Sequence, residues 1–303
     1  MAEPLPIEDN DPPSHATDNT RGALWMLGSA VTFTAMVTLI KFLGHGYPAT
    51  VQTFYRQAAG LVILLPWILR NPSAAFATSR PGILIFRSVA GTVGMILSFW
   101  AFQELPLADA NALSFTRTLW MVPLAAFMLR EQVGPHRIGA AVVGFAGVLL
   151  MVHPGGAQGL TLPAVAMLGA SFLFSLTVTG LKTLTRDHAP STLLYWSAGL
   201  GFLLAIPPAL LQWRWPSLTD FGLLCAMGAI ATVNQACYIK GLQWGEAAAM
   251  APMDYTRLIF AALAGFLLFG ETPGLMTLAG ALVVVASTLY ITWRERVAVA
   301  RRK

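Results

Sequence analysis

Two arginines, Arg117 and Arg257, stand in the middle of stretches that are otherwise apolar: DANALSFTRTLWMVPLAAFMLRE and AAAMAPMDYTRLIFAALAGFLLFGE. A guanidinium stays charged at physiological pH and presents its N–H donors as a planar fork, a geometry that grips carboxylates. Asp254 precedes Arg257 by three residues, so on a helix the two share a face. An aspartate there can bind a substrate amine, carry a proton, or neutralise the arginine so that it can be buried. The first stretch has Ser114 at the matching position, so the acid belongs to the second stretch alone. Asn234 and Gln235 can hydrogen-bond a ligand or glue two helices together. Trp100, Trp120, Tyr238 and Tyr255 lie at similar depth and can wall a pocket or fill the core. Pro123 and Pro252 fall inside the same two stretches. Proline removes a backbone donor, so each predicts a kink, which can free carbonyls towards a cavity and act as a hinge, or be passive.

The elements that must hold these residues follow from composition. Of 303 residues, 56% are hydrophobic and 11% charged, against about 25% charged in a soluble domain. The apolar residues come in runs of about twenty, the length that crosses a bilayer core. Ten runs can be cut, at 22–42, 50–69, 82–102, 108–129, 136–152, 162–184, 193–211, 218–239, 247–269 and 274–293. The chain therefore reads as an all-α polytopic membrane protein. Lysine and arginine placement orients it. With the N-terminus in the cytoplasm, 13 of the 19 fall in inner segments and 2, Lys41 and Arg214, in outer ones. That bias favours both termini inside. Residues 1–21 are polar, acidic and proline-rich, without the basic start and apolar core of a cleaved signal, and read as a disordered cytoplasmic tail; 294–303 read as a basic one.

The chain repeats. A shift of 140 residues superposes Gln103 on Gln243, Thr116-Arg117 on Thr256-Arg257 and Glu131 on Glu271. A shift of 141 superposes Gly28 on Gly169, Phe33 on Phe174 and Lys41 on Lys182. This divides the spans into two five-helix units, 22–152 and 153–293. Five is odd, so the second unit enters the membrane from the opposite side. Such inverted repeats characterise secondary transporters, with the substrate site near the midplane between the halves.

Arginine at a helix centre costs roughly 2.5–3.5 kcal/mol on insertion scales, and Arg117 and Arg257 incur that twice at symmetry-related sites. Either both face a water-filled cavity and meet an anionic group, or each locks the bundle by pairing inside it. Arg87 and Arg56 lie nearer the ends of their helices, where snorkelling accounts for them. Glu131 and Glu271 read as interfacial loop residues, with gating a secondary role. Gly139, Gly144, Gly147 and Gly280 suit tight helix packing, which can run between the halves. Cys225 and Cys237 are about 18 Å apart on a helix, too far to bridge. The histidines are scattered, no metal or nucleotide motif is present, and no cofactor is expected. The basic residues sit in short loops, so no nucleic acid is expected either.

The stretches PLADANALSFTRTLWMVPLAAFMLREQVGPHRIGAAVVGFAGVLLMV and APMDYTRLIFAALAGFLLFGETPGLMTLAGALVVVAS resemble the ends of two EamA domains. The chain from about 22 to 293 resembles a ten-helix EamA transporter of the drug/metabolite transporter superfamily. The resemblance implies a bacterial inner-membrane carrier of a small metabolite, often an exporter, working by alternating access. An amino acid or a derivative fits the arginines and Asp254 best, and S-adenosylmethionine or riboflavin remain open. The partners are then a small-molecule metabolite and the lipid bilayer, and a homodimer is compatible with the chain. The alternatives are a membrane-embedded transferase, for which no clustered His, Asp or Glu is found, and a lipid-linked flippase, which needs a lateral opening.

Overall fold

Helix starts follow local chemistry. Asp18 caps the first helix by accepting from the Arg21 N–H at 3.0 Å, so α1, Asn19–Gly44, begins before the apolar run does. Proline opens three others: α3, Pro81–Glu104, α6, Pro135–Val152, and α8, Pro190–Leu211. Ser217 caps α9, Leu218–Trp244, by accepting from Asp220 N–H. The remaining elements are α2 (Ala49–Arg70), α4 (Leu107–Ser114), α5 (Thr116–Met128), α7 (Leu162–Leu184), α10 (Ala247–Asp254), α11 (Thr256–Phe269) and α12 (Leu275–Ala300). This computed structural model describes residues 18–70, 78, 80–128, 134–152, 161–184, 190–245 and 247–300. No strand occurs among them. Glu131 and much of the tail over 1–21 lie outside the described residues. The stretch from 294, expected as a tail, instead continues α12 to Ala300. There Arg294 lies over the rings of Tyr290 and Trp293.

Among the described residues twelve helices make ten spans, because α4 with α5 and α10 with α11 each form one crossing broken near its middle. Six segments among the described residues are by themselves long and apolar enough to cross a bilayer. The main pairings between the halves are unchanged when the halves are exchanged. Helix α1 packs on α9 as α3 packs on α7, and α5 packs on α7 as α11 packs on α1. Helix α2 lies on α8, and α6 on α12. The major neighbours thus come from the opposite repeat, and neither unit could bury its inner face alone.

Small residues bring α6 and α12 together. A Cβ on Gly147 would sit 2.9 Å from the Gly280 carbonyl and 2.8 Å from Val283. The expected between-halves packing is therefore found at Gly147 and Gly280. Gly144 instead makes room for Leu119 of its own half, and a Cβ on Gly139 would meet nothing within 4 Å.

Candidate functional site

Both broken spans change pitch at an aromatic residue, Phe115 and Tyr255, offset by the same 140 positions as the two arginines. At each, the backbone tightens to i→i+3 bonding: Phe115 N–H donates to Ala112 and Thr118 N–H to Phe115, while Tyr255 N–H donates to Pro252 and Leu258 N–H to Tyr255. Such a turn frees carbonyls that a continuous helix would use. Serines of α7 lie against carbonyls in and just after the first turn. Ser175 Oγ donates to the Arg117 carbonyl at 2.6 Å, and Ser171 Oγ lies 3.4 Å from the Leu113 and Ser114 carbonyls. Eight residues of α4 or α10 span ~12 Å, so both turns fall near mid-depth of a bilayer core ~30 Å thick. The two turn residues touch, with Phe115 and Tyr255 ring centroids 4.7 Å apart.

The structure separates these turns from the prolines that predicted kinks. Helix α5 runs through Pro123 without interruption. Pro252 lies within α10, exposed, and serves the turn through its carbonyl.

Arg257 reaches from the second repeat into the first. Its guanidinium carbon lies 4.3 Å from the Phe115 ring centroid and 4.9 Å from that of Phe33. Asp254 is its ion-pair partner, at 3.7 Å through Nη2, a long contact. The Nε is buried and unpartnered. Most of the five donors of this fork are therefore unspent. Arg117 lies near enough for its charge to act on Arg257 and Tyr255, and Tyr238 is in the same neighbourhood. No carboxylate among the described residues pairs with Arg117. Two guanidinium charges and one carboxylate leave one positive charge unbalanced at the junction of the halves, which suits a monoanion. The Tyr255 hydroxyl donates to Thr288 of α12, which holds its ring against Phe115.

The other expected site residues disperse. Asn234 accepts from Ser29 Oγ at 2.8 Å and so joins α9 to α1. Gln235 is exposed on the far face of α9. Trp120 is wedged between Phe145 and Phe172, 4.7 and 5.2 Å away, with its Nε1 buried and unpartnered. Trp100 packs against the core cluster that includes Phe99 and Phe102. Arg87 does not run to the interface: it donates to Ser197 of α8 in the other repeat.

Sequence reasoning passed over two features. Asn111, one turn before Phe115, is fully buried with no partner for either amide atom; an asparagine in an apolar run was the available signal. The second is a tie of Glu271 to the first repeat. Gly270, at φ 65°, turns the end of α11 in the left-handed conformation, and Glu271 N–H returns to the Gly265 carbonyl. The Glu271 carboxylate then lies where a Cβ on Gly265 would be, 2.7 Å from that point. It forms an ion pair with Lys41 and accepts from the Leu107 N–H at 2.8 Å, at the positive end of α4. Lys41 also donates to the Leu105 carbonyl at 2.6 Å. The expected interfacial role of Glu271 is thus a tie between the repeats.

Asp254→Asn is expected to slow any flux through this site while leaving its pH profile unchanged, because the aspartate here partners Arg257. A flux assay from pH 5.5 to 8 checks this, and a flattened profile would make Asp254 a proton carrier.

The model of the EamA-like transporter family matches residues 20–153 and again 161–293. Among curated proteins, the chain is 27% identical to an S-adenosylmethionine uptake transporter of Rickettsia bellii, covering 93% of this chain and 96% of that one. It is 28% identical to a riboflavin transporter of Vibrio cholerae, covering 91% and 94%. It is 25% identical to a pseudopaline exporter of Pseudomonas aeruginosa, covering 89% and 95%. A solved crystal structure superposes with a TM-score of 0.58 at 16% identity, covering 92% of this chain and 96% of the other, a likeness of fold alone.

Proposed function

Because this chain belongs to the EamA-like transporter family, we propose that it moves a small zwitterionic or anionic metabolite across the bacterial inner membrane by alternating access. An amino acid or amino-acid derivative is the best-matched cargo. The observation that carries this reading is Arg257: a buried guanidinium from one repeat, held between two aromatic rings of the other, with most of its donors unspent. A carboxylate would take those donors, Asp254 would meet an amine, and Phe115 with Tyr255 would stack on an aromatic moiety. S-adenosylmethionine carries all three groups. Both termini lie in the cytoplasm, as the basic loops indicate, and the expected net flux is export. The relatives are named for both uptake and export, so flux is to be measured in both directions. Proteoliposomes given radiolabelled S-adenosylmethionine, riboflavin and a panel of amino acids test the reading. Accumulation of one of them unaltered supports it. No flux in either direction for any of them, from folded protein, would overturn it.

In this reading the Lys41–Glu271 tie closes the outer end. Both side chains are nearly buried, 12% and 15% exposed, so the tie is little screened by solvent. Glu271→Gln is expected to let the outer end open more often. A cysteine placed at Phe115 should then react about tenfold faster with an impermeant thiol reagent from that side, a shift of ~1.4 kcal/mol. An unchanged rate would leave Glu271 as a helix cap only.

One observation favours a flippase as second reading. A crevice of about 590 Å³ opens between α1 and α11, where Val31, Ala35 and Leu39 face Phe260, Leu263 and Leu267. Flux of a water-soluble probe, without flipping of a fluorescent lipid, decides for the carrier.

A further inference from the structure

The strongest polar feature outside the broken spans runs between α2, α3 and α8, where the repeats meet again. A Cβ on Gly201 of α8 would run into Gln57 Nε2 of α2 and lie 3.6 Å from Thr92 Oγ1 of α3. These three residues therefore converge. Arg56 joins them by donating to Gln57 Oε1 at 3.2 Å. One helical turn towards the N-terminal ends of α3 and α8 lie Ser88 and Ser197, and there Arg87 donates to Ser197. The result is a seam two turns deep with one guanidinium in each layer.

The seam is rich in unmet polar atoms. Ser88 and Thr92 are 5% and 4% exposed, and neither hydroxyl has a partner. The Arg87 Nε is likewise buried and unpartnered. No carboxylate among the described residues pairs with Arg56 or Arg87. In a bilayer core, unsatisfied polar groups cost several kcal/mol each, and a buried guanidinium without a counter-charge is dearer still. Leaving these groups without partners is therefore unfavourable. Water alone would satisfy the hydroxyls, yet it would leave two positive charges unbalanced.

The geometry points to a second anion-binding site in this seam, with Arg56 and Arg87 as successive guanidinium stations and Gln57, Ser88 and Thr92 as neutral donors beside them. Its ligand is a small carboxylate-bearing solute, held first at one layer and then at the other. That this anion is the transported carboxylate rests on the carrier reading; that the seam takes anions does not. Gly201 lets the Gln57 amide lie between α2 and α8, since any side chain there would displace it.

Thiol accessibility tests the site without knowledge of the cargo. Ser88→Cys and Thr92→Cys, each in a Cys225→Ser, Cys237→Ala background, are treated in nanodiscs with a negatively charged sulfonatoethyl methanethiosulfonate. A positively charged trimethylammonium-ethyl analogue is compared. Rates are normalised to those of each reagent with free 2-mercaptoethanol. Both cysteines should react, with the anionic reagent favoured about tenfold or more, as expected for a unit charge a few ångströms away at intermediate dielectric. Adding Arg87→Gln should bring the preference at the Ser88→Cys position close to one. If neither cysteine reacts, or the two reagents react equally, the seam is a structural contact and the proposal falls. Anion preference with no flux for any metabolite would retain the seam and remove the carrier reading; flux without labelling would do the reverse.

Discussion

Arg257→Ala should lower flux by about a hundredfold or more while the protein still inserts and folds. A hydrogen bond to a charged group contributes about 1.5–3 kcal/mol, and a bidentate carboxylate makes two. Losing both weakens substrate binding by at least two powers of ten. Insertion is not the obstacle, because removing an arginine from mid-membrane lowers the cost of inserting the helix. The mutation leaves Asp254 without its partner, so the double variant Arg257→Ala/Asp254→Asn is the fair comparison for stability. Arg257→Lys separates charge from fork. A single ammonium keeps the field at Phe115 and Phe33 and loses the planar pair of donors, so an intermediate flux is expected. Radiolabel uptake into proteoliposomes, normalised to folded protein by gel filtration, provides the measurement. Wild-type flux in folded Arg257→Ala would remove the arginine from the site.

Gly280→Val should be the most damaging single change to stability. A Cβ on Gly280 meets the Gly147 carbonyl and the Met151 side chain, with Met151 N at 3.0 Å. Two of these are backbone atoms, which cannot swing aside as a side-chain tip can. Overpacking generally costs about 1–3 kcal/mol, and this site belongs at the upper end because α6 and α12 must separate along their contact. The expected result is a fall of several degrees in the temperature at which the monodisperse peak is lost. Gly139→Val is the control, since a Cβ at Gly139 has nothing within 4 Å, and it should melt with the wild type. Equal melting of both variants would mean that the contact of the repeats at Gly147 and Gly280 is dispensable.

The sequence by itself determined the class of protein and the repeat. Each is a local quantity. Hydropathy over twenty residues reports whether a segment can lie in lipid. The offset of 140 residues that relates Arg117 to Arg257 is visible without any contact. Partnership is not local, and the structure decided it. Asn234 and Gln235 are adjacent in sequence, yet one joins α1 while the other is exposed, because neighbouring residues on a helix point about 100° apart. Arg87 looked close enough to an interface to reach it, but α8 brings Ser197 within hydrogen-bonding distance first. Pro123 and Pro252 signalled weak points in two helices, but the changes of pitch fall at Phe115 and Tyr255. Proline marks where a backbone bond is missing. Where a helix yields also depends on which carbonyls find an outside donor, and Ser171 and Ser175 of the opposite repeat reach those of Ser114 and Arg117. The tie of Lys41 to Glu271 needs two segments 230 positions apart, and only the docking of one repeat on the other brings them together.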